Sequence, residues 1–79
     1  MKHKVINIDP EILNGTPVFY GTRVPIETLF IHLQKGIPLS EFLDDFPTVK
    51  KNQALEILEM AEKMFSSKKV ESLYENIVG

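Results

Sequence analysis

From Ile26 onward the apolar residues recur every three or four positions, at Ile26, Leu29, Phe30, Leu33 and Ile37. That spacing draws one stripe along an amphipathic helix. Glu27 in its first turn and Lys35 in its last both complement the helix dipole, and Gly36 is a suitable residue just past the end. Ile31 lies about 140° round from the stripe at 100° per residue. It is either a lone exposed apolar residue or a protein contact. Leu39, Phe42, Leu43 and Phe46 repeat the stripe over a second, shorter helix. Pro47 closes it, because the residue before a proline is pushed out of the helical region. After a turn spanning Phe46 to Val49, the longest helix is predicted from Lys51 to Phe65, burying Ala54, Ile57, Leu58, Ala61 and Phe65.

The first 25 residues follow a different rule. Val5-Ile6-Asn7-Ile8 is β-branched with one polar break and ends at Asp9-Pro10, which predicts a strand and a turn, with Ile6 and Ile8 on one face. Glu11-Ile12-Leu13 reads as one irregular turn leading into Asn14-Gly15. Pro17 to Tyr20 is predicted to be extended and near a sheet edge, since Pro17 has no N–H to donate. Gly21-Thr22-Arg23 forms the next turn, and Pro25 stands where a helix can start. Two strands this short are marginal alone, so they need the helices behind them or the strands of another copy beside them.

Ser66-Ser67-Lys68-Lys69 interrupts the helical pattern, and Val70, Leu73, Tyr74 and Ile77 resume it. This tail is read either as a fourth helix packed on its own core or on a twin subunit, or as a segment that orders on a partner. The expected architecture is therefore mainly α in a single domain, residues 1–79. Residues 5–25 form the β element and turns, 26–65 the three-helix core and 66–79 the amphipathic tail. A short helix, a tight turn and a longer helix behind a first one is the order of a helix-turn-helix.

Composition narrows the field. A chain of 79 residues has room for one core, and one this short buries only about 60% of its unfolded surface, which makes dimerisation a natural supplement. Nine basic and 11 acidic residues give a net charge of −2, which argues against a general polyanion binder. Absence of cysteine removes disulfide and thiolate chemistry and agrees with a reducing cytoplasm. No stretch approaches a signal peptide or a membrane span, so a soluble, cytoplasmic protein is expected.

Catalysis finds little support. His3 and His32 are the two histidines, one near the N-terminus and one assigned to a polar helix face, and neither stands at metal-ligand spacing. Glu41, Asp44 and Asp45 read as a solvated acidic face. No Gly-rich phosphate loop is present, and no nucleophile neighbours a plausible base. A non-enzyme without cofactor or metal is expected. Nucleic-acid contact is better supported. Lys50, Lys51, Asn52 and Gln53 open the third helix, two cations for phosphates and two amides of the type that pair with adenine edges. Glu56, Glu59 and Glu62 follow on the same helix and oppose contact along its whole length. One subunit carries too few cations for tight binding, so a homodimer on two half-sites is expected. A protein-interaction module of the same fold is the competing reading, with Val70, Leu73, Tyr74 and Ile77 as candidate partner contacts.

Two linked motifs carry a family resemblance: Asp9-Pro10-Glu11-Ile12-Leu13-Asn14-Gly15-Thr16-Pro17-Val18 and Gly21-Thr22-Arg23-Val24-Pro25-Ile26. With Gly36 and Asp44-Asp45-Phe46-Pro47, close to the family's Glu-Asp-Tyr-Pro, they resemble domain-of-unknown-function family 433 over roughly residues 5 to 62. The resemblance implies a homeodomain-like helix-turn-helix with a small N-terminal β element. It also implies a VapB-like antitoxin that binds a PIN-like ribonuclease toxin and its own promoter DNA. Arg23, in the matched Gly-Thr-Arg core, either holds the turn through carbonyls or Asp9, or meets a phosphate or a partner's carboxylate. Pro38-Leu39-Ser40-Glu41 replaces the Ser-Pro-Glu-Glu that commonly opens the second helix. Lys50 stands where a threonine commonly caps the third, with Thr48 or Asn52 as the expected substitute.

Overall fold

The computed structural model of the chain describes residues 4–66. Strand β1 (Ile6–Asn7) pairs antiparallel with β2 (Val18–Phe19), Ile6 opposite Phe19 and Asn7 opposite Val18. Helices α1 (Ile26–Gln34), α2 (Leu39–Asp45) and α3 (Lys51–Met64) follow. The fold is mainly helical, three helices with a two-stranded antiparallel sheet.

The loop between the strands is set by side-chain caps and left-handed backbone. Asp9 Oδ1 accepts from the Glu11 N–H at 2.9 Å, which starts the turn. Leu13, Asn14 and Gly15 then all have positive φ, at 49°, 58° and 85°. Asn and Gly tolerate this region, but leucine is strained there by about 1–2 kcal/mol. Thr16 holds the strained turn closed, donating both its N–H (3.1 Å) and its Oγ1 hydroxyl (2.7 Å) to the Leu13 carbonyl.

The second turn is built the same way. Gly21 takes φ 82°. Thr22 Oγ1 donates to the Phe19 carbonyl at 2.8 Å and accepts from the Val24 N–H at 3.0 Å. The chain doubles back on β2, with the Phe19 N–H donating to Val24 O and the Ile26 N–H to Pro17 O, and Val18 bridging Pro25. The expectation that Pro17 to Tyr20 lies near a sheet edge is thereby corrected. β2 is flanked on both sides, because Pro17 needs to supply only its carbonyl, and among the described residues β1 is the strand with an open side.

Helix α1 ends as the sequence predicts. Gly36 adopts φ 82°, its N–H reaching Leu33 O and the Ile37 N–H reaching His32 O, each at 3.0 Å. These two bonds form a Schellman motif that satisfies carbonyls of the last turn. Pro38 occupies the N-cap of α2 and has no side-chain acceptor to cap it, and Ser40 lies inside the helix.

The core gathers Val5, just ahead of β1, Phe19 of β2, Leu29 of α1, Phe42 of α2, Val49 of the α2–α3 turn, and Ala54 and Ile57 of α3. Phe42 is fully buried at its centre, its ring centroid 6.1 Å from Phe19, 5.1 Å from Phe46 and 5.3 Å from His32. Two expectations are corrected by this packing. His32 is not on a free polar face, since only 19% of its side chain is exposed. It sits edge-on to Phe42 and Phe46 between α1 and α2. Its Nδ1 donates to Thr28 O at 2.9 Å, and Nε2 lies 3.9 Å from Asp45 Oδ2. Phe65, assigned to the buried face, follows the last residue of α3 and is 60% exposed, because the helix outruns the core beyond Ala61. Ile6 and Ile8 do fall on one side of β1, but it is the exposed side, and Val5 faces the core.

Replacing Phe42 with alanine leaves Phe19, His32 and Phe46 around an empty volume, at a cost of about 3–5 kcal/mol. Against a total stability of roughly 5–15 kcal/mol for a small domain, F42A should be largely unfolded or melt far lower by far-UV circular dichroism. A melt matching the wild type would show that Phe42 does not organise the core.

Candidate functional site

Lys50 is the N-cap of α3, with extended backbone at φ −87° and ψ 149°. A lysine cannot accept a hydrogen bond, so it cannot cap the helix with its side chain. Gln53 supplies the cap instead, its Oε1 accepting from the Lys50 N–H at 2.9 Å. Neither Thr48 nor Asn52, the expected substitutes, takes that role, because Gln53 at the third helical position reaches back first. Its Nε2 donates at 3.0 Å to the Tyr20 carbonyl, 33 residues away in sequence. One side chain therefore caps α3 and fastens its first turn to the turn that follows β2.

That fastening leaves an open groove of about 630 Å³ between the two elements, lined by Lys4, Tyr20, Gly21, Thr48, Lys50, Asn52 and Gln53. Lys4 Nζ stands 5.5 Å from the centroid of the Tyr20 ring, close enough for a cation–π contact. Two ammonium groups, two amides, a hydroxyl and an aromatic face line the groove, and no carboxylate does. The first turn of α3 adds the positive end of a helix dipole. Such a surface suits an anionic ligand with hydrogen-bonding groups along it.

The structure divides the residues singled out in the sequence. Lys50, Asn52 and Gln53 meet in the groove, where Gln53 has both ends of its amide engaged and Lys50 and Asn52 are exposed. Lys51 is exposed too, but it lines a separate depression of about 430 Å³ with Leu39, Ser40, Leu43 and Asp44 on the α2 side. Arg23 is exposed, and among the described residues it makes no hydrogen bond or ion pair, with Asp9 or any other group. Val70, Leu73, Tyr74 and Ile77 lie outside the described residues.

Lys4, Tyr20 and Thr48 are members of the groove that sequence reasoning missed. The basic run ahead of β1 was visible, but only pairing of β1 with β2 carries residue 4 to residue 50. Leu55 was missed as well: it is exposed on α3, four residues after Lys51 and three after Asn52. Farther along, Glu59 Oε2 is 3.6 Å from Lys63 Nζ, so part of the acidic face is matched within the helix. Among the described residues no group of three or more His, Cys, Asp or Glu is placed to hold a metal ion, and no helix is long and apolar enough to cross a membrane.

A family model described as "Protein of unknown function (DUF433)" matches residues 6–61. No curated protein and no solved structure matches the chain.

The double role of Gln53 can be separated by substitution. Gln53→Ala removes both bonds and should lower stability by about 1 kcal/mol, read as a lower urea midpoint. Gln53→Glu keeps the acceptor for Lys50 but loses the donor to Tyr20, and should fall between alanine and wild type. Three equal midpoints would show that the tether holds nothing.

Proposed function

The chain belongs to the family of proteins of unknown function DUF433, and we propose that it is an antitoxin-type, DNA-binding regulator. In this reading it is one half of a bacterial or archaeal toxin–antitoxin pair, neutralising a PIN-like toxin by contact and binding its own promoter. Helices α1 to α3 act as a homeodomain-like helix-turn-helix, VapB-like in role, with α3 as the recognition helix. The observation that carries the reading is the exposed, carboxylate-free and cation-lined groove at the leading end of α3.

Recognition helices read bases with their N-terminal residues. Here Asn52 is the amide available for an adenine edge, and exposed Leu55 one turn on offers an apolar contact for a thymine methyl. Lys50 and Lys51 line separate depressions beside the helix start, on the Tyr20 side and the α2 side, and each suits a phosphate of the backbone bordering a groove. Lys4 and Arg23 provide further phosphate contacts. Glu59 and Glu62 lie two and three turns further on, where a helix entering at its N-terminus has left the bases. The cations of one subunit are few, so the DNA-bound form is a homodimer on two half-sites.

An adaptor that uses the same fold without touching DNA is the second reading, favoured by exposed Met60, Met64 and Phe65 at the opposite end of α3. Affinity for DNA from the protein's own upstream region, measured across salt, discriminates. It should fall steeply as salt rises, with a log–log slope of about 0.9 per phosphate contact. Lys50→Glu with Lys51→Glu should abolish binding while leaving circular dichroism unchanged, since both side chains are exposed. A weak, salt-insensitive affinity, or an unaffected double variant, overturns the regulator reading.

Co-purification with the product of the adjacent gene tests the toxin partner. A tagged chain should retain a PIN-like ribonuclease and suppress its activity. A retained partner together with absent DNA binding would leave the adaptor.

A further inference from the structure

Among the described residues, strand β1 has one side occupied and one side open. The bond from the Tyr20 N–H to the Val5 carbonyl, 2.8 Å, fixes the phase of the ladder. Val5 and Asn7 turn their main-chain groups toward β2, so by the alternation of antiparallel pairing Ile6 and Ile8 turn theirs away. Among the described residues no backbone N–H or carbonyl bonds to Ile6 or Ile8 on that open side. Their side chains are also uncovered, 42% exposed for Ile6 and 63% for Ile8.

Natural sheets guard an open edge with a lysine, a proline, a bulge or a covering loop. Among the described residues none of these blocks β1: Pro10 lies beyond its end, and the ammonium of Lys4 is drawn over Tyr20. An open row of donors and acceptors beside two β-branched side chains is fitted to another strand of the same kind. We propose that β1 is the homodimer interface, two copies of this chain pairing antiparallel through β1 into a four-stranded sheet.

Charge and register both select this arrangement. β1 runs between Lys4 and Asp9, so an antiparallel copy sets unlike ends together and a parallel one sets like ends together. Across the new ladder, residues of the outward set face residues of the outward set, as the alternation of antiparallel pairs requires. Ile6 opposite Ile6 leaves Ile8 against Lys4, and Ile8 opposite Ile8 leaves Ile6 against Pro10, which has no N–H. Ile6 opposite Ile8 of the second copy, made twice by symmetry, sets the exposed isoleucines of the two copies against each other. It also uses four main-chain hydrogen bonds and places Asn7 against Asn7 on the two-fold axis. The inference rests on the dimeric part of the reading above and not on DNA binding.

The chain has no cysteine, so a single introduced one reports the register directly. Asn7 faces its copy at a non-hydrogen-bonded position, where the Cα atoms are about 4.5 Å apart, within the range a disulfide spans. Asn7→Cys should therefore oxidise to a covalent dimer, while Glu59→Cys on α3 stays monomeric on a non-reducing gel. Ile6→Lys with Ile8→Lys should sediment as a monomer with unchanged circular dichroism. A wild-type protein that sediments as a monomer, a lysine variant that stays dimeric, or equal cross-linking at both cysteine positions overturns the proposal. A β1 dimer that ignores DNA refutes the regulator and leaves this interface standing.

Discussion

Burial of the Phe42 ring is the interaction on which the rest of this structure depends. Each secondary element is too slight to stand alone. A two-stranded sheet with two residues per strand is marginal, and α2, seven residues long, is below the length of a helix stable in water. Phe42 touches Phe19 from β2, His32 from α1 and Phe46 from the end of α2, so one side chain gives three weak elements a common reason to form. With β2 fixed in place, the Tyr20 carbonyl is fixed too, and Gln53 can anchor α3 to it. The position of the candidate site is thus a consequence of the aromatic packing that holds β2.

The groove illustrates how a small domain shares residues between architecture and recognition. Of the four residues opening α3, Gln53 is consumed in holding the helix, whereas Lys50, Lys51 and Asn52 remain exposed. Division of the two lysines between separate depressions spreads the cations beside the helix start instead of concentrating them in one patch. That distribution fits a chain of net charge −2, in which a local positive surface has to be made by placement and not by composition.

Where sequence reasoning missed, the cause is the same each time. The sequence puts His32 on a polar face because the stripe through Leu29 and Leu33 marks the centre of the buried face and not its width. Helix α2 packs against one flank of α1 and draws His32 into the interface. Phe65 continues the period of α3, but periodicity says nothing about where the opposing surface stops. Pro17 was expected at an edge because it lacks a donor. The structure uses only its acceptor, so the missing N–H costs nothing there.

What the sequence alone determined were the local features, each governed by a few adjacent residues. Gly21 and Gly36 take left-handed angles, Asn14-Gly15 turns, Pro47 ends α2, and the three apolar stripes give three helices close to their observed bounds. The family motif is likewise local, a string of turn residues between strand and helix. Only the tertiary structure decided which side of β1 is open, which amide of α3 is engaged and which residues meet in the groove. Those depend on contacts between positions such as 4 and 50 or 20 and 53, and no window of neighbouring residues contains both partners.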